Sequence, residues 1–135
     1  MTIHEKLKAL LTADANVSAL VNTRVFMTEA PQNCTIPYVV FMAHEDVLVT
    51  HNSSLEGTRP WKVYIYPFGA TPLSANLIGV AVKRALCGYK FTDVGIADTD
   101  IQAITLEQGL MDLERLPESK SYPVSLVVEV WEQLA

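Results

Sequence analysis

The sequence predicts a single α+β domain, with an antiparallel sheet of about four to five strands packed against two main helices. Two stretches carry apolar residues at helical spacing, and the segments between and after them alternate with the period of two that marks strands. The resulting order is α-β-β-β-α-β-β. The 135 residues are 50% hydrophobic and 19% charged, an ordinary globular mixture. That length suits one core burying roughly two thirds of the unfolded surface. No internal repeat, low-complexity tract or interdomain linker interrupts it.

The elements follow in order. Thr2 and Glu5 match a capping box, and Ile3, Leu7, Leu10 and Leu11 then form one apolar stripe, predicting a first helix that ends near Thr12. Asp14 can cap a short further turn of helix in which Val17, Leu20 and Val21 are buried, and Asn22 and Thr23 break it. Residues 24–27 read as a short strand, and residues 30–37 as a loop whose prolines bias their predecessors toward extended geometry. A strand runs from 38 to about 46. Residues 47–57 open with Val47, Leu48 and Val49 and turn polar through Asn52, Ser53, Ser54, Glu56 and Gly57, a pattern read as a long hairpin arm.

The next strand, 61–66, places Trp61, Val63 and Ile65 on one face and Lys62, Tyr64 and Tyr66 on the other. Thr71 caps the second main helix and Pro72 occupies its first turn, where no amide hydrogen is needed. Leu73, Leu77, Ile78, Ala81, Val82, Ala85 and Leu86 leave only Asn76, Gly79 and Lys83 as a polar strip, so this helix is expected to be largely buried, with Gly88 as its stop. After a loop rich in Asp and Gly, residues 101–107 alternate as a strand interrupted at Gln108 and Gly109. Residues 112–120 form a charged connection to the last strand, 122 to about 131.

Two of these strands are apolar on both alternations. Tyr38, Val40 and Met42 oppose Val39, Phe41 and Ala43; Val124, Leu126, Val128 and Val130 oppose Ser125, Val127, Glu129 and Trp131. Such strands need cover on both sides of the sheet. Two helices supply it only if they lie on opposite faces; otherwise another subunit must. The second arrangement is the reading taken here, so the protein is expected to work by assembling.

The formal net charge of −5 and ten scattered basic residues argue against a binder that grips nucleic-acid phosphates. They are compatible with DNA passing nearby without being held. Neither a signal peptide nor a run of membrane-spanning length is expected, so the two cysteines, Cys34 and Cys87, read as reduced thiols and no membrane partner is expected.

Chemistry-bearing constellations are sparse. His4, His44 and His51 lack the paired ligand spacing of a zinc site and read as surface or strand-end residues. Gly-x-Ser-x-Gly and glycine-rich phosphate loops are absent. Cys87 reads as a small core hydrophobe at a helix C-terminus, whose dipole disfavours a thiolate. The acidic pairs 45/46, 98/100 and 112/114 read as solvated charges at loops or strand ends. No catalysis, cofactor or metal is therefore expected. Tyr64 and Tyr66 faintly resemble a base-stacking platform, but basic neighbours other than Lys62 are missing, and packing against a helix or a subunit is favoured. Trp131 reads the same way.

The order of these elements resembles the tail completion or tail terminator proteins of long-tailed bacteriophages and prophages, including the small head–tail joining proteins. The likeness runs through Leu10, Leu11, Ala13 and Asp14; Val17, Leu20 and Val21; Arg24, Val25 and Phe26; Ala30 and Pro31; and Pro37, Tyr38, Val39 and Val40. It continues with Val63, Tyr64, Ile65 and Tyr66, the helix carrying Ala75, Ile78, Val82, Ala85 and Leu86, and the strand from Val124 to Trp131. The resemblance implies a structural virion protein, a hexameric ring that caps the tail tube, ends its polymerisation and offers a surface to the head connector, with DNA passing through the lumen. It implies assembly in the bacterial host cytoplasm and a place at the head–tail junction of the virion. It brings no catalytic residues. Expected contacts with subunits, tube or head fall on Glu45, Asp46, His51, Asn52 and Glu56 of the arm and on Tyr64, Tyr66 and Trp131 of the sheet. The competing expectation is a small-molecule or peptide-binding module with a pocket between the sheet and the second main helix.

Overall fold

The computed structural model describes residues 3–31, 34–45, 58–87, 101–114 and 121–133. Among them the order is α1 (Ile3–Ala13), α2 (Ala15–Val21), β1 (Val25–Met27), β2 (Tyr38–Glu45), β3 (Thr58–Gly69), α3 (Pro72–Cys87), β4 (Ile101–Asp112) and β5 (Tyr122–Gln133). The strands form one five-stranded sheet in the order β1-β2-β3-β5-β4. Thus the α+β architecture and element order expected from the sequence are present. The hairpin arm, the capping box at Thr2 and the stop at Gly88 fall outside the described residues.

Local signals explain the boundaries. The Asp14 carboxylate accepts hydrogen bonds from the backbone N–H groups of Asn16 and Val17, both at 3.0 Å, satisfying two donors that α2 leaves open. Asn22, at φ 55°, ends that helix, and its N–H donates to Ser18 O at 2.8 Å. The Thr71 hydroxyl accepts from Ser74 N at 3.0 Å and so caps α3. Just before it, a Cβ on Gly69 would come within 2.6 Å of Ala75 N, so the strand-to-helix corner closes only around glycine.

Pairing is antiparallel for β2 with β3, β3 with β5 and β5 with β4. The exception is β1, which runs parallel to β2 with Val25 opposite Val39. An all-antiparallel sheet was expected, but residues 28–37 are long enough to carry the chain back to the start of β1 before it pairs. Arg24 clamps this return, its Nε donating to Pro37 O at 2.8 Å while Val39 N donates to Arg24 O at 2.9 Å. At the opposite edge, β4 extends to Asp112, with register shifts on both sides of Gln108 marking the interruption expected there.

All three described helices pack on the same side of the sheet. Leu7 and Leu11 of α1, Val17 and Val21 of α2, and Ile78, Val82 and Leu86 of α3 share one core with Phe41, Ile65, Leu126 and Val128. Each such large side chain contributes roughly 1.5–3 kcal/mol through its burial. His4 is part of this lid, its ring 6.3 Å from Phe41 and 6.4 Å from Trp61, rather than a surface residue.

Helix α3 is not buried to the extent expected. Its inward stripe is Ala75, Ile78, Gly79, Val82 and Leu86, whereas Leu73 is 70% exposed and Leu77 53%. The polar strip was misassigned because Gly79 faces inward: a Cβ there would lie 2.5 Å from the Leu110 side chain, so glycine lets β4 approach the helix. Ala75, Ile78, Gly79 and Val82 recur at helical spacing and already complete one face, leaving Leu73 and Leu77 on the other.

Candidate functional site

Strand alternation gives the sheet a second face, opposite the helices. Phe26 of β1, Tyr38, Val40 and Met42 of β2, Tyr64, Tyr66 and Phe68 of β3, and Val127 and Trp131 of β5 belong to it by register. Among the described residues no helix packs over it. Tyr38 and Phe68 stack at 4.7 Å with their planes 19° apart, and Phe26 lies 6.2 Å from Tyr38 at 59°. These aromatic pairs build an apolar platform at one end of the face. Burial there, with Cys34 as a smaller second cause, pushes the Tyr38 hydroxyl above its ordinary pKa, so it stays neutral.

The other end of the face is charged. Lys62 Nζ lies 3.0 Å from Glu107 Oε1, a bond that reaches from β3 to β4. Glu129 of β5, between those strands, is the cross-strand neighbour of both Lys62 and Thr105. The pair is partly exposed and contributes at most about 1 kcal/mol to stability. Its larger effect is to divide the face into an aromatic end and an end with more carboxylates than cations. Between them, Ser125 Oγ is buried without a hydrogen-bond partner, the one such side-chain atom among the described residues. A buried hydroxyl left unpaired costs about 1–3 kcal/mol.

The expected contact residues separate into three groups. Tyr64, Tyr66 and Trp131 are all half-buried and share this open face. Glu45 is exposed at the end of β2, but its alternation with His44 and pairing with Trp61 put it on the helix side. Asp46, His51, Asn52 and Glu56 lie outside the described residues. Sequence reasoning named Tyr38, Val40 and Val127 as strand positions needing cover, and the structure buries all three; it did not single out Phe68, Leu73 or Leu77 as surface. The signal for the leucines was present: they are four residues apart and opposite the Ala75, Ile78 and Val82 stripe.

Other candidate chemistry is limited. Cys87 is exposed, not the core residue expected, because it follows the last inward residue, Leu86, at the helix end. Partial burial still pushes its thiol pKa up, and Lys83 offsets this in part, so the thiol stays protonated. Among the described residues no three His, Cys, Asp or Glu side chains come together as a metal site, and no helix is long and apolar enough to cross a membrane. Lys8, Phe26, Met27, Glu29, Ala30 and Pro31 line an open depression of about 350 Å³ beside β1. In the layer between the sheet and α3, where a ligand pocket was the competing expectation, the described Ile78, Val82 and Leu86 join one core cluster with Val63 and Ile65 of β3 and Leu126 and Val128 of β5.

Comparison with known proteins adds the following. The family described as tail completion protein gp17 matches residues 5–133. A chain from a solved structure described as the virion of a native gene transfer agent particle superimposes with a TM-score of 0.65 at 22% identity, over 97% of this chain and 94% of that one. At that identity the likeness carries the fold alone. No curated protein matches the chain.

Proposed function

The chain belongs to the family of the tail completion protein gp17, and from that premise we propose that it is a structural tail protein of a phage or phage-like particle that closes the end of the tail tube as a ring. The observation that carries this reading is the one-sided sheet. Three described helices cover one face, while on the other Met42 is exposed and Tyr64, Tyr66, Phe68 and Trp131 are half-buried around the buried Tyr38, Val40 and Val127. A face of that composition favours burial against protein.

In the proposed assembly, six copies associate head to tail, each offering one patch to a different patch on the next, which closes a ring when the rotation closes. The ring ends tube polymerisation by occupying the last tube subunits, and its free side receives the head connector. Some of the carboxylates behind the net charge of −5 line the lumen and keep DNA mobile by repulsion. Residues 47–57, for which the sequence alone suggests a hairpin arm, contribute to a contact with a subunit, tube or head.

The test is negative-stain imaging of purified tail tubes mixed with the protein, alongside its mass in solution at micromolar concentration. Rings at tube ends with arrested tube growth are the expected result. Tubes that keep growing past the added protein, with no ring at any end, would overturn the reading.

A further inference from the structure

The ring reading leaves open which surface of a neighbouring copy covers the sheet. We infer that it is the outer side of α3, carrying Leu73 and Leu77. This inference rests on the ring reading and specifies its subunit contact.

Three observations converge. First, the two surfaces are different and lie on opposite sides of one subunit, as head-to-tail association requires. The sheet face is one of them; Leu73 and Leu77, 70% and 53% exposed, are one helical turn apart on the other. Two adjacent leucines at such exposure on an already packed helix have no role within their own subunit's core. Second, the charges match in order. Passing along α3, the apolar pair gives way to Arg84, exposed in the last turn, with Lys83 beside it. Passing along β3, the aromatic end at Phe68 and Tyr66 gives way to Lys62, flanked by Glu107 and Glu129. Third, the lengths match. From Leu73 to Arg84 is about 16 Å of helix; from Phe68 to Lys62 is about 20 Å of strand.

The helix thus lies along β3 of its neighbour, with the leucines over the half-buried Tyr66 and Phe68. Arg84 comes opposite Glu129 and Glu107. The occupant is a second copy of this chain. A tube or connector protein on the leucines is the outcome that would replace it.

Cysteine pairing tests this directly. In a background with Cys34→Ser and Cys87→Ser, Leu77→Cys and Tyr66→Cys are combined in one chain and oxidised after mixing with tail tubes. A covalent ladder ending at the ring size, absent from either single-cysteine protein, is expected. In parallel, Leu73→Asp with Leu77→Asp alters only exposed positions. It should keep the wild-type melting temperature and weaken tube capping by roughly tenfold or more, because a carboxylate would be buried in the contact. If wild-type rings form but the double-cysteine chain gives no ladder, the inference is wrong and the ring stands. If no ring forms with the wild-type chain, the prior reading fails instead. Loss of capping in the aspartate variant without a ladder would hand the leucines to the tube or connector and overturn the proposal.

Discussion

The two faces of this sheet use similar residues to opposite ends. Beneath the helices, Val39, Phe41, Val63, Ile65, Leu126, Val128 and Val130 are at most 1% exposed and lie in one continuous core. On the far face, Tyr64, Tyr66, Phe68 and Trp131 alternate with them along the same strands and remain half-buried. The first set holds one chain together; the second is available to hold several. An apolar sequence pattern alone does not distinguish the two uses, because alternation fixes which residues share a side but not what covers that side.

The largest effect is expected at the core: Phe41→Ala empties a fully buried site beneath His4 and should cost about 3–5 kcal/mol in a denaturant titration. Gly69→Ala, where a Cβ would press on backbone at Ala75 N, should cost about 1–3 kcal/mol by the same titration. Asp14→Ala, which removes the cap of α2, should cost about 1 kcal/mol, with Asp14→Asn retaining most of it. On the open face, Tyr64→Ser with Tyr66→Ser should cost the single chain less than about 1 kcal/mol while removing capping of tail tubes in the imaging assay. Folding losses as large as those at Phe41 would mean that the face belongs to the monomer's own core.

The smallest effect concerns pH. Folding raises the Tyr38 pKa, so its contribution is fully present below the unfolded tyrosine value near 10 and is lost as pH rises through the folded value. A thermal melt series across alkaline pH should therefore decline less steeply for Tyr38→Phe than for the wild-type chain. Equal slopes would remove burial of this hydroxyl from the account.

Much of this architecture was legible because the local signals are redundant. Asp14, Thr71 and Pro72 mark helix starts by side-chain chemistry, and the alternation of Trp61, Val63 and Ile65 against Lys62, Tyr64 and Tyr66 assigned both faces of β3. What escaped the sequence depended on long-range approach. Parallel pairing of β1 follows from where the 28–37 loop returns, which no local pattern encodes. Gly79 read as polar surface because its lack of a side chain serves a neighbour, Leu110, thirty-one positions away. Leu73 and Leu77 read as core because hydrophobicity was counted around the helix without asking which arc met the sheet. The charged end of the open face needed three strands in register before Lys62, Glu107 and Glu129 could be seen together.

The most direct test is solvent labelling of Tyr64, Tyr66 and Trp131, read by mass spectrometry on the free chain and on the same chain bound to tail tubes. Strong labelling in the free chain and protection of all three on binding is the result this account requires. Unchanged labelling of these side chains in tube-bound rings would contradict it, since the face would then remain bare in the finished assembly.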